Sequence, residues 1–308
     1  MPDELDITKV GKGALPDPPD ERDFKAEQVM GAVNVDWSKE FRLPEPPNSD
    51  QAQSLRCVGE AWSYYHWQLK RKRFSPKDIY SKIFLPEGGA YLRDGGKILT
   101  SEGQQTLQEC PDPSPMTEAK NRIRCANPDK AKDDIEANYF SLPQQDINGV
   151  AWGIQNYKGV VFGVSGSNNG WRDMKYPKPP SYGEPGVWGH ALYGMGFHIC
   201  TDGQKCIIAK SSWGSLVNEH HIRENYFITG NTFSAWTLIP KEELTNMKLV
   251  RDKGTIYLVA GVNQKVKTGI ASQEVLTTLF GDEPIIDGDT SDIPQSQTAS
   301  TGFVIHKK

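Results

Sequence analysis

The chain has 308 residues, enough for one large domain or two smaller ones. Its formal net charge of -4 argues against a nucleic-acid partner, because phosphate binding needs a concentrated basic face. No apolar run is long enough to cross a bilayer, and the N-terminal segment lacks the apolar core of a signal peptide. We therefore expect no membrane span, and the compartment stays open between the cytoplasm and a virion.

Proline clusters and changes of pattern divide the chain into three parts. Residues 1–47 are rich in proline and lack periodicity, which predicts an extended N-terminal arm or a pro-segment-like region. Residues 48–245 carry helical patterns followed by β-type segments, and residues 246–308 form a small C-terminal module. Helices first and antiparallel strands second are typical of an α+β fold rather than an alternating one.

The helical patterns come first in chain order. Apolar residues recur at helical spacing from Cys57 to about Lys70 and predict an amphipathic helix. Ser75 is a good N-cap for a second helix, with Pro76 at its first position. Residues 86–145 are expected to be rich in loops. Two short helices are predicted within that region, near 95–99 and 117–124.

Short β-type segments bounded by glycines and turns follow the helices. They are predicted at 159–166, 190–200, 205–213, 224–230 and 234–240. We expect them to form an antiparallel sheet. The C-terminal module adds a predicted strand at 255–261 and a short helix at 272–280.

Cys57 stands at the start of the first predicted helix, where backbone N–H groups and the helix dipole favour a thiolate. Arg56 would lower the thiol pKa further if its side chain pointed toward the sulfur. A nucleophilic cysteine also needs a histidine partner and donors for the oxyanion. His190 is the best placed of the six histidines, because it begins a predicted strand with glycine neighbours. Gln51, upstream of Cys57, offers a side-chain amide for the oxyanion.

The other histidines have less reactive interpretations. We expect His66 to be a packing or surface residue, and His220 and His221 to lie on a loop. His198 could bind a metal together with Cys200 and Cys206. A fourth ligand is not evident and the spacing is not a usual zinc pattern, so no metal site is predicted.

Five cysteines leave at least one thiol unpaired within the chain. Cys110 and Cys125 flank a proline-rich loop and could pair. Cys200 and Cys206 stand on either side of a predicted hairpin turn and could also pair. If both pairs formed, Cys57 would be the free thiol, and a fully reduced chain is the other possibility.

Several motifs in order resemble the papain family of cysteine peptidases, and its bacterial and viral branch in particular. Gln51 precedes Cys57 by six residues, Gly-His-Ala follows at 189–191, and Ser-Trp-Gly at 212–214. The segments "LPDPPDERDF" (15–24) and "LRDG" (92–95) fit the same branch. The resemblance covers residues from about 14 to 240. It implies a two-lobe fold, with a helical lobe and an antiparallel β-barrel-like lobe on either side of a peptide-binding cleft.

The resemblance also implies roles for single residues. Cys57 would be the nucleophile and His190 its base, while Gln51 and the Cys57 amide would bind the oxyanion. Ser211 stands where the family has an asparagine that orients the histidine. The implied cleft residues are Gly88 and Gly89, as a wall for the substrate, and Trp213, as an indole that shields the histidine's partner from water. The resemblance implies no metal and no organic cofactor.

Two departures from the family pattern bear on activity. Ser211 is shorter than asparagine, and the loop "QAQSLRC" lacks two glycines of the family motif, at Ala52 and Leu55, so its shape is expected to differ. Two alternatives to a peptidase therefore stay open. One is a papain-fold structural or binding component of a larger assembly, such as a phage virion or tail. The other is a hydrolase of cell-wall peptides.

The expected partner is a peptide or protein substrate. The N-terminal arm and the C-terminal module could also hold assembly partners. The module, beginning "GTIYLVAG", resembles a small accessory unit appended to surface proteins of bacteria and their phages.

Overall fold

The computed structural model describes residues 6–8, 10–20, 23, 35–136, 138–214 and 219–239, together with the backbone of four strands beyond them. All statements below concern this part of the chain.

The described residues of the N-terminal arm contact both the helices and the sheet of the rest of the chain. The arm contributes β1 (Ala14–Leu15) and β2 (Phe41–Arg42). β1 pairs in parallel with β3 (Ala90–Tyr91), so that Ala14 lies beside Ala90. The arm is therefore part of the fold.

Three helices form the helical lobe. They are α1 (Cys57–Lys70), α2 (Pro76–Ile83) and α3 (Leu92–Ser101). The Ser75 side chain caps α2 by accepting a hydrogen bond from the Asp78 amide, as the sequence predicts. The Trp62 ring explains the glycine at position 95 of α3, since a Cβ at Gly95 would lie 2.2 Å from its Cδ1 atom.

Four further helices follow in the described part of the chain. They are α4 (Glu118–Asn121), a 3-10 helix (Pro128–Asp134), α5 (Ile147–Tyr157) and α6 (Glu224–Ile228). The predicted strand at 224–230 is wrong, because this segment forms α6. Its aromatic residues Tyr226 and Phe227 favour a strand locally, but they are buried from one helical turn. The sequence did not predict α5.

The second lobe is an antiparallel sheet. Its strands are β4 (Asn138–Leu142), β5 (Val160–Gly166), β6 (Trp188–Ile199), β7 (Lys205–Lys210), β8 (His220–Arg223) and β9 (Thr232–Ile239). They lie in the order β4-β9-β5-β6-β7-β8, with β2 beside β6. The described strands form an open sheet rather than a closed barrel. His220 and His221 belong to β8, so their placement on a loop is wrong.

Alternate residues of β6 face different layers, as the two-residue period of a strand requires. Ala191 and Tyr193 pack with α1, α2 and α3 in one apolar cluster. Leu192 packs with α5 in a second cluster. The sheet is therefore covered on both sides, and its central strand carries His190 close to its start.

The C-terminal module contains a four-stranded sheet. Its strands are β10 (Lys248–Asp252), β11 (Thr255–Ala260), β12 (Val266–Gly269) and β13 (Ile285–Asp287), in the order β12-β11-β10-β13. β11 occupies the predicted strand at 255–261. The helix predicted at 272–280 lies outside the described residues.

Candidate active site

Cys57 is a free thiol with no solvent exposure at the first position of α1. Burial raises the pKa of this thiol to about 11. The backbone amides of Ala191, Gly13 and Val58 face the sulfur and act in the opposite direction, but burial outweighs them. The thiol is therefore neutral in this structure.

The Arg56 side chain does not point toward the Cys57 sulfur, so it does not lower the pKa of the thiol in the way considered from the sequence. Its guanidinium points to Glu60 at 2.7 Å and to Asp112 at 2.6 Å. It also donates to the Asn121 side chain at 2.9 Å. Arg56 is thus a fully buried structural cation that ties the start of α1 to α4 and the loop before it.

The His190 side chain is fully buried and stacks on Trp213, with ring centroids 4.2 Å apart. Burial lowers the pKa of His190 well below its usual value, and the nearby His220 and Lys12 lower it further. Neither ring nitrogen has a hydrogen-bond partner among the described residues, Cys57 included. His190 is therefore a neutral imidazole held by stacking.

Ser211 contacts a histidine other than His190. Its hydroxyl lies 2.7 Å from Nε2 of His220, whose Nδ1 lies 2.5 Å from the carbonyl oxygen of Met174. A carbonyl oxygen only accepts, so the His220 proton is on Nδ1 and Nε2 accepts the Ser211 hydroxyl proton. Burial lowers the pKa of His220 to about 4, which is consistent with this neutral form.

No motif in the sequence indicates the pairing of Ser211 with His220. The two residues are brought together by the pairing of β7 with β8, which places His220 opposite Ala209. His220 also lies against the rings of Trp171 and Trp213, with centroids 4.9 and 5.8 Å away. His220 is therefore a buried residue of the site, whereas the sequence predicted it on a loop.

The loop before α1 holds Gln51 in a fixed orientation. Its side-chain Nε2 donates to the carbonyl oxygen of Ser54 at 2.6 Å, and its Oε1 accepts from the hydroxyl of Ser212. Ala52 adopts a φ of 48°, in the left-handed region where glycine is favoured. The loop therefore retains a glycine-type turn at Ala52 although the glycine is absent.

The arm covers this site. The Gly11 carbonyl accepts from Nε1 of Trp213 at 3.2 Å, and the Gly13 carbonyl accepts from the amide of Ala90 at 2.8 Å. A Cβ at Gly89 would lie 2.4 Å from the Gly13 oxygen. Gly88 lies against the side chain of Leu55, and a Cβ at Gly88 would lie 2.5 Å from the Cδ1 atom of Leu55. Arm residues 11–13 thus run between the expected cleft wall and the site residues.

Asp17 fastens the arm to both lobes. Its carboxylate accepts from the backbone amide of Arg93 at 3.0 Å and from Nε1 of Trp236 at 2.6 Å. Its own amide donates to the Ser234 hydroxyl at 2.9 Å. Arg93 starts α3 and Trp236 is part of β9, so one arm residue joins the helical lobe to the sheet.

The fold of this chain is similar to those of several solved cysteine protease structures. Xylellain, a cysteine protease from Xylella fastidiosa, matches with a TM-score of 0.60 over 75% of this chain and 97% of that chain, at 18% identity. The procathepsin L2 proteinase of Tenebrio molitor larval midgut matches with a TM-score of 0.58 over 76% and 79%, at 14% identity. Recombinant stem bromelain precursor matches with a TM-score of 0.55 over 76% and 79%, at 12% identity.

This chain has a papain-like fold. The resemblance to the papain family inferred from the motifs is confirmed at the level of the fold, and its bacterial branch is represented by xylellain. No protein-family model matches the sequence, and no curated protein matches it. At 18% identity or less the similarity concerns the fold, and the roles of the site residues rest on their own geometry.

The two papain-like lobes are present as helices and an antiparallel sheet. Within the described residues, no helix combines the length and the apolar character needed to cross a membrane. The matching structures give no support to the hypothesis of a virion component.

Proposed function

We propose that the chain is a cysteine peptidase of the papain-like type that the arm holds in a closed form. The observation that carries the proposal is the position of Cys57. A free thiol at the N-terminus of α1 faces the amide of Ala191, the residue that follows His190. The start of α1 therefore lies beside the strand that carries His190, and this proximity supports a thiol–imidazole pair in the open form.

In the proposed reaction the Cys57 thiol passes its proton to His190 and attacks the carbonyl carbon of a peptide. The oxyanion that forms is stabilised by the Cys57 amide and the Gln51 side chain, as preorganised donors do in acyl transfer. His190 then protonates the leaving amine and activates the water that releases the acyl group.

The arm is proposed to suppress this reaction by excluding water. Burial is the largest cause of both pKa shifts, upward for Cys57 and downward for His190. Each shift favours the neutral form, so the thiolate–imidazolium pair is disfavoured while the arm covers the site. Release of arm residues 11–13 would hydrate both groups and move the two pKa values toward each other.

Ser211 and His220 are proposed to replace the orienting asparagine together. The Ser211 hydroxyl proton is committed to His220, which leaves the oxygen lone pairs of Ser211 free to accept from another donor. In the open form the His190 ring N–H would be that donor. His220 acts through Ser211 and is a positioning residue.

The test is labelling of the full chain with an epoxysuccinyl probe, with the modified residue mapped by mass spectrometry. Asp17→Ala opens the site, and His190→Ala in the same background removes the base. We expect Cys57 labelling that persists below pH 6 and falls at least tenfold without His190. Labelling that is indifferent to His190 would contradict the peptidase and favour the structural or binding role.

The substrate class is tested on the same opened chain. Cleavage of casein supports a general peptidase. Release of peptides from purified cell wall, with casein intact, supports the cell-wall hydrolase instead. Both activities depend on Cys57, so Cys57→Ser is the matched control.

A further inference from the structure

A second group of reactive side chains lies at the other end of β6 from the candidate active site. His198 is eight residues beyond His190 on this strand, which corresponds to about 25 Å of extended chain. It pairs directly with Cys206 on β7. Cys200 follows His198 by two residues, and Cys200 and Cys206 form a disulfide.

The sheet adds a fourth residue that the sequence did not indicate. His221 on β8 pairs with Ile208, which is two residues beyond Cys206 on β7. Residues two apart on a strand share a face, so His221 lies on the same face as Cys206. Nδ1 of His221 lies 2.7 Å from Nε2 of His198. The two imidazoles are therefore in contact with each other beside the disulfide, at one corner of the sheet.

Three of these side chains are placed as possible ligands of one metal ion. The ligand atoms of His198, Cys200 and Cys206 all lie within 4.8 Å of one another, and the Cys200 sulfur is 3.6 Å from Nε2 of His198. Zinc–ligand bonds of the usual length, at tetrahedral angles, place a sulfur and a nitrogen about 3.6 Å apart. They place two nitrogens about 3.3 Å apart, so the imidazole pair would have to separate slightly.

The carboxylate of Glu219 contacts the ring nitrogen of His221 that faces away from His198. Nε2 of His221 is 2.9 Å from Oε1 of Glu219, and Glu219 is itself paired with Arg42. Such a carboxylate fixes the proton on Nε2 and leaves Nδ1, which faces His198, free to accept a hydrogen bond or bind a metal. Metal-binding histidines almost always carry a partner of this kind. The contact between Glu219 and His221 therefore supports a metal site independently of the positions of the four proposed ligands.

We propose that reduction of the Cys200–Cys206 disulfide converts this corner into a Cys2His2 site for Zn²⁺, formed by His198, Cys200, Cys206 and His221. A water-soluble phosphine reduces the S–S bond, takes its oxygen from water and leaves two thiols. Zn²⁺ then displaces the two thiol protons, which pass to solvent, and the two thiolates balance the charge of the metal. In the disulfide form only the two imidazoles are available as ligands. The inference does not depend on the proposed peptidase.

The experiment is a titration of the full chain with Co²⁺, with and without prior phosphine reduction, followed by displacement with Zn²⁺. The reduced chain is expected to bind one Co²⁺ with thiolate charge-transfer absorption and a tetrahedral visible spectrum, and the oxidised chain to show neither. Cys110 and Cys125 form the second disulfide of the described residues, and the double variant Cys110→Ser, Cys125→Ser, which lacks it, is expected to retain the full spectrum. Absence of the thiolate band in the reduced chain would overturn the proposal.

Two variants test the ligands. Cys200→Ser removes one of the two thiolates and should weaken the band and the binding of Co²⁺. His198 is only half buried, so His198→Asn removes a ligand with little effect on packing and should change the tetrahedral spectrum. Glu219→Gln keeps all four ligands and should weaken binding about 10- to 100-fold without loss of the band. A spectrum that is unchanged in both Cys200→Ser and His198→Asn would place the metal elsewhere and refute the site.

Discussion

Arg93 donates two hydrogen bonds to the carboxylate of Asp23, at 3.0 and 2.8 Å. Asp23 belongs to the segment "LPDPPDERDF" and Arg93 to "LRDG". The backbone amide of Arg93 also donates to Asp17 of the same segment. The two motifs that the sequence offered as separate signals are therefore the two sides of one contact, in which the start of α3 holds the arm.

Weakening this contact should open the site. Asp17→Ala leaves the Trp236 indole and the Arg93 amide without their acceptor, and we expect at least a tenfold faster reaction of Cys57 with a small alkylating reagent. Asp36→Asn is the control, because Asp36 lies on the arm and its carboxylate accepts hydrogen bonds from the amide and hydroxyl of the nearby Ser38. The rates are measured by mass spectrometry of the intact chain. Equal rates in the two variants would show that Asp17 does not hold the arm over Cys57.

His220 should make the fold sensitive to acid. Its pKa is lowered from 6.5 to about 4 by burial, so between these values the unfolded chain binds a proton that the folded chain does not. Stability from this group is complete above pH 6.5 and is lost as pH falls toward 4. At pH 5 the loss is about 2 kcal/mol.

The comparison of wild type with His220→Asn isolates this effect, since His190 and His221 titrate in both chains. Urea unfolding at pH 7 and pH 5 should show the wild type losing about 2 kcal/mol relative to the variant. If His220 also positions Ser211, the variant should lower the rate of epoxysuccinyl labelling in the opened chain and shift its pH profile. A constant difference in stability between the two pH values would contradict the neutral, buried form of His220.

Ala52 should be a position where glycine is stabilising. Its φ of 48° costs an L-residue free energy that glycine does not lose. Ala52→Gly is expected to increase the free energy of unfolding by about 1 kcal/mol, partly offset by the greater freedom of glycine in the unfolded chain. Ala61→Gly, inside α1, is expected to have the opposite sign. Both are measured by urea unfolding, and a loss of stability in Ala52→Gly would mean that its methyl packing outweighs the strain.

The buried cation of the helical lobe should be costly to remove. Arg56→Ala leaves Glu60 fully buried without its partner, which is expected to lower the free energy of unfolding by about 3 to 5 kcal/mol. Lys132→Ala removes a cation of similar spacing from Asp129, where both side chains are exposed, and should have no measurable effect. The midpoints of urea unfolding distinguish the two. Similar midpoints in both variants would show that water reaches Glu60 in the folded chain.

The sequence predicted those parts of the fold that local patterns determine. The bounds of α1 follow from apolar residues at helical spacing, and the cap of α2 follows from Ser75. α6 was predicted as a strand because five residues are too few to show a helical period, while Tyr226 and Phe227 favour strands. Such a segment is decided by what it packs against rather than by its own composition.

In the candidate site, too, the sequence predicts the residue types but not the contacts between distant parts of the chain. Cys57, His190 and Gln51 could be selected from motif order and chemistry. The direction of the Arg56 side chain could not, because it is set by Asp112 and Asn121 far along the chain. The partner of Ser211 could not either, because strand register, which the sequence does not fix, places His220 beside it.

The parallel pairing of β1 with β3 has a consequence for the integrity of the chain. It is the amide of Gly13 that faces the Cys57 sulfur, while the Gly13 carbonyl is bonded to Ala90. A thiolate attacks a carbonyl carbon, so the proposed peptidase covers its nucleophile with a segment presented in an orientation unfavourable for its own digestion. We infer that such a protein would accumulate intact, and that its activation would require displacement of the arm rather than cleavage in place.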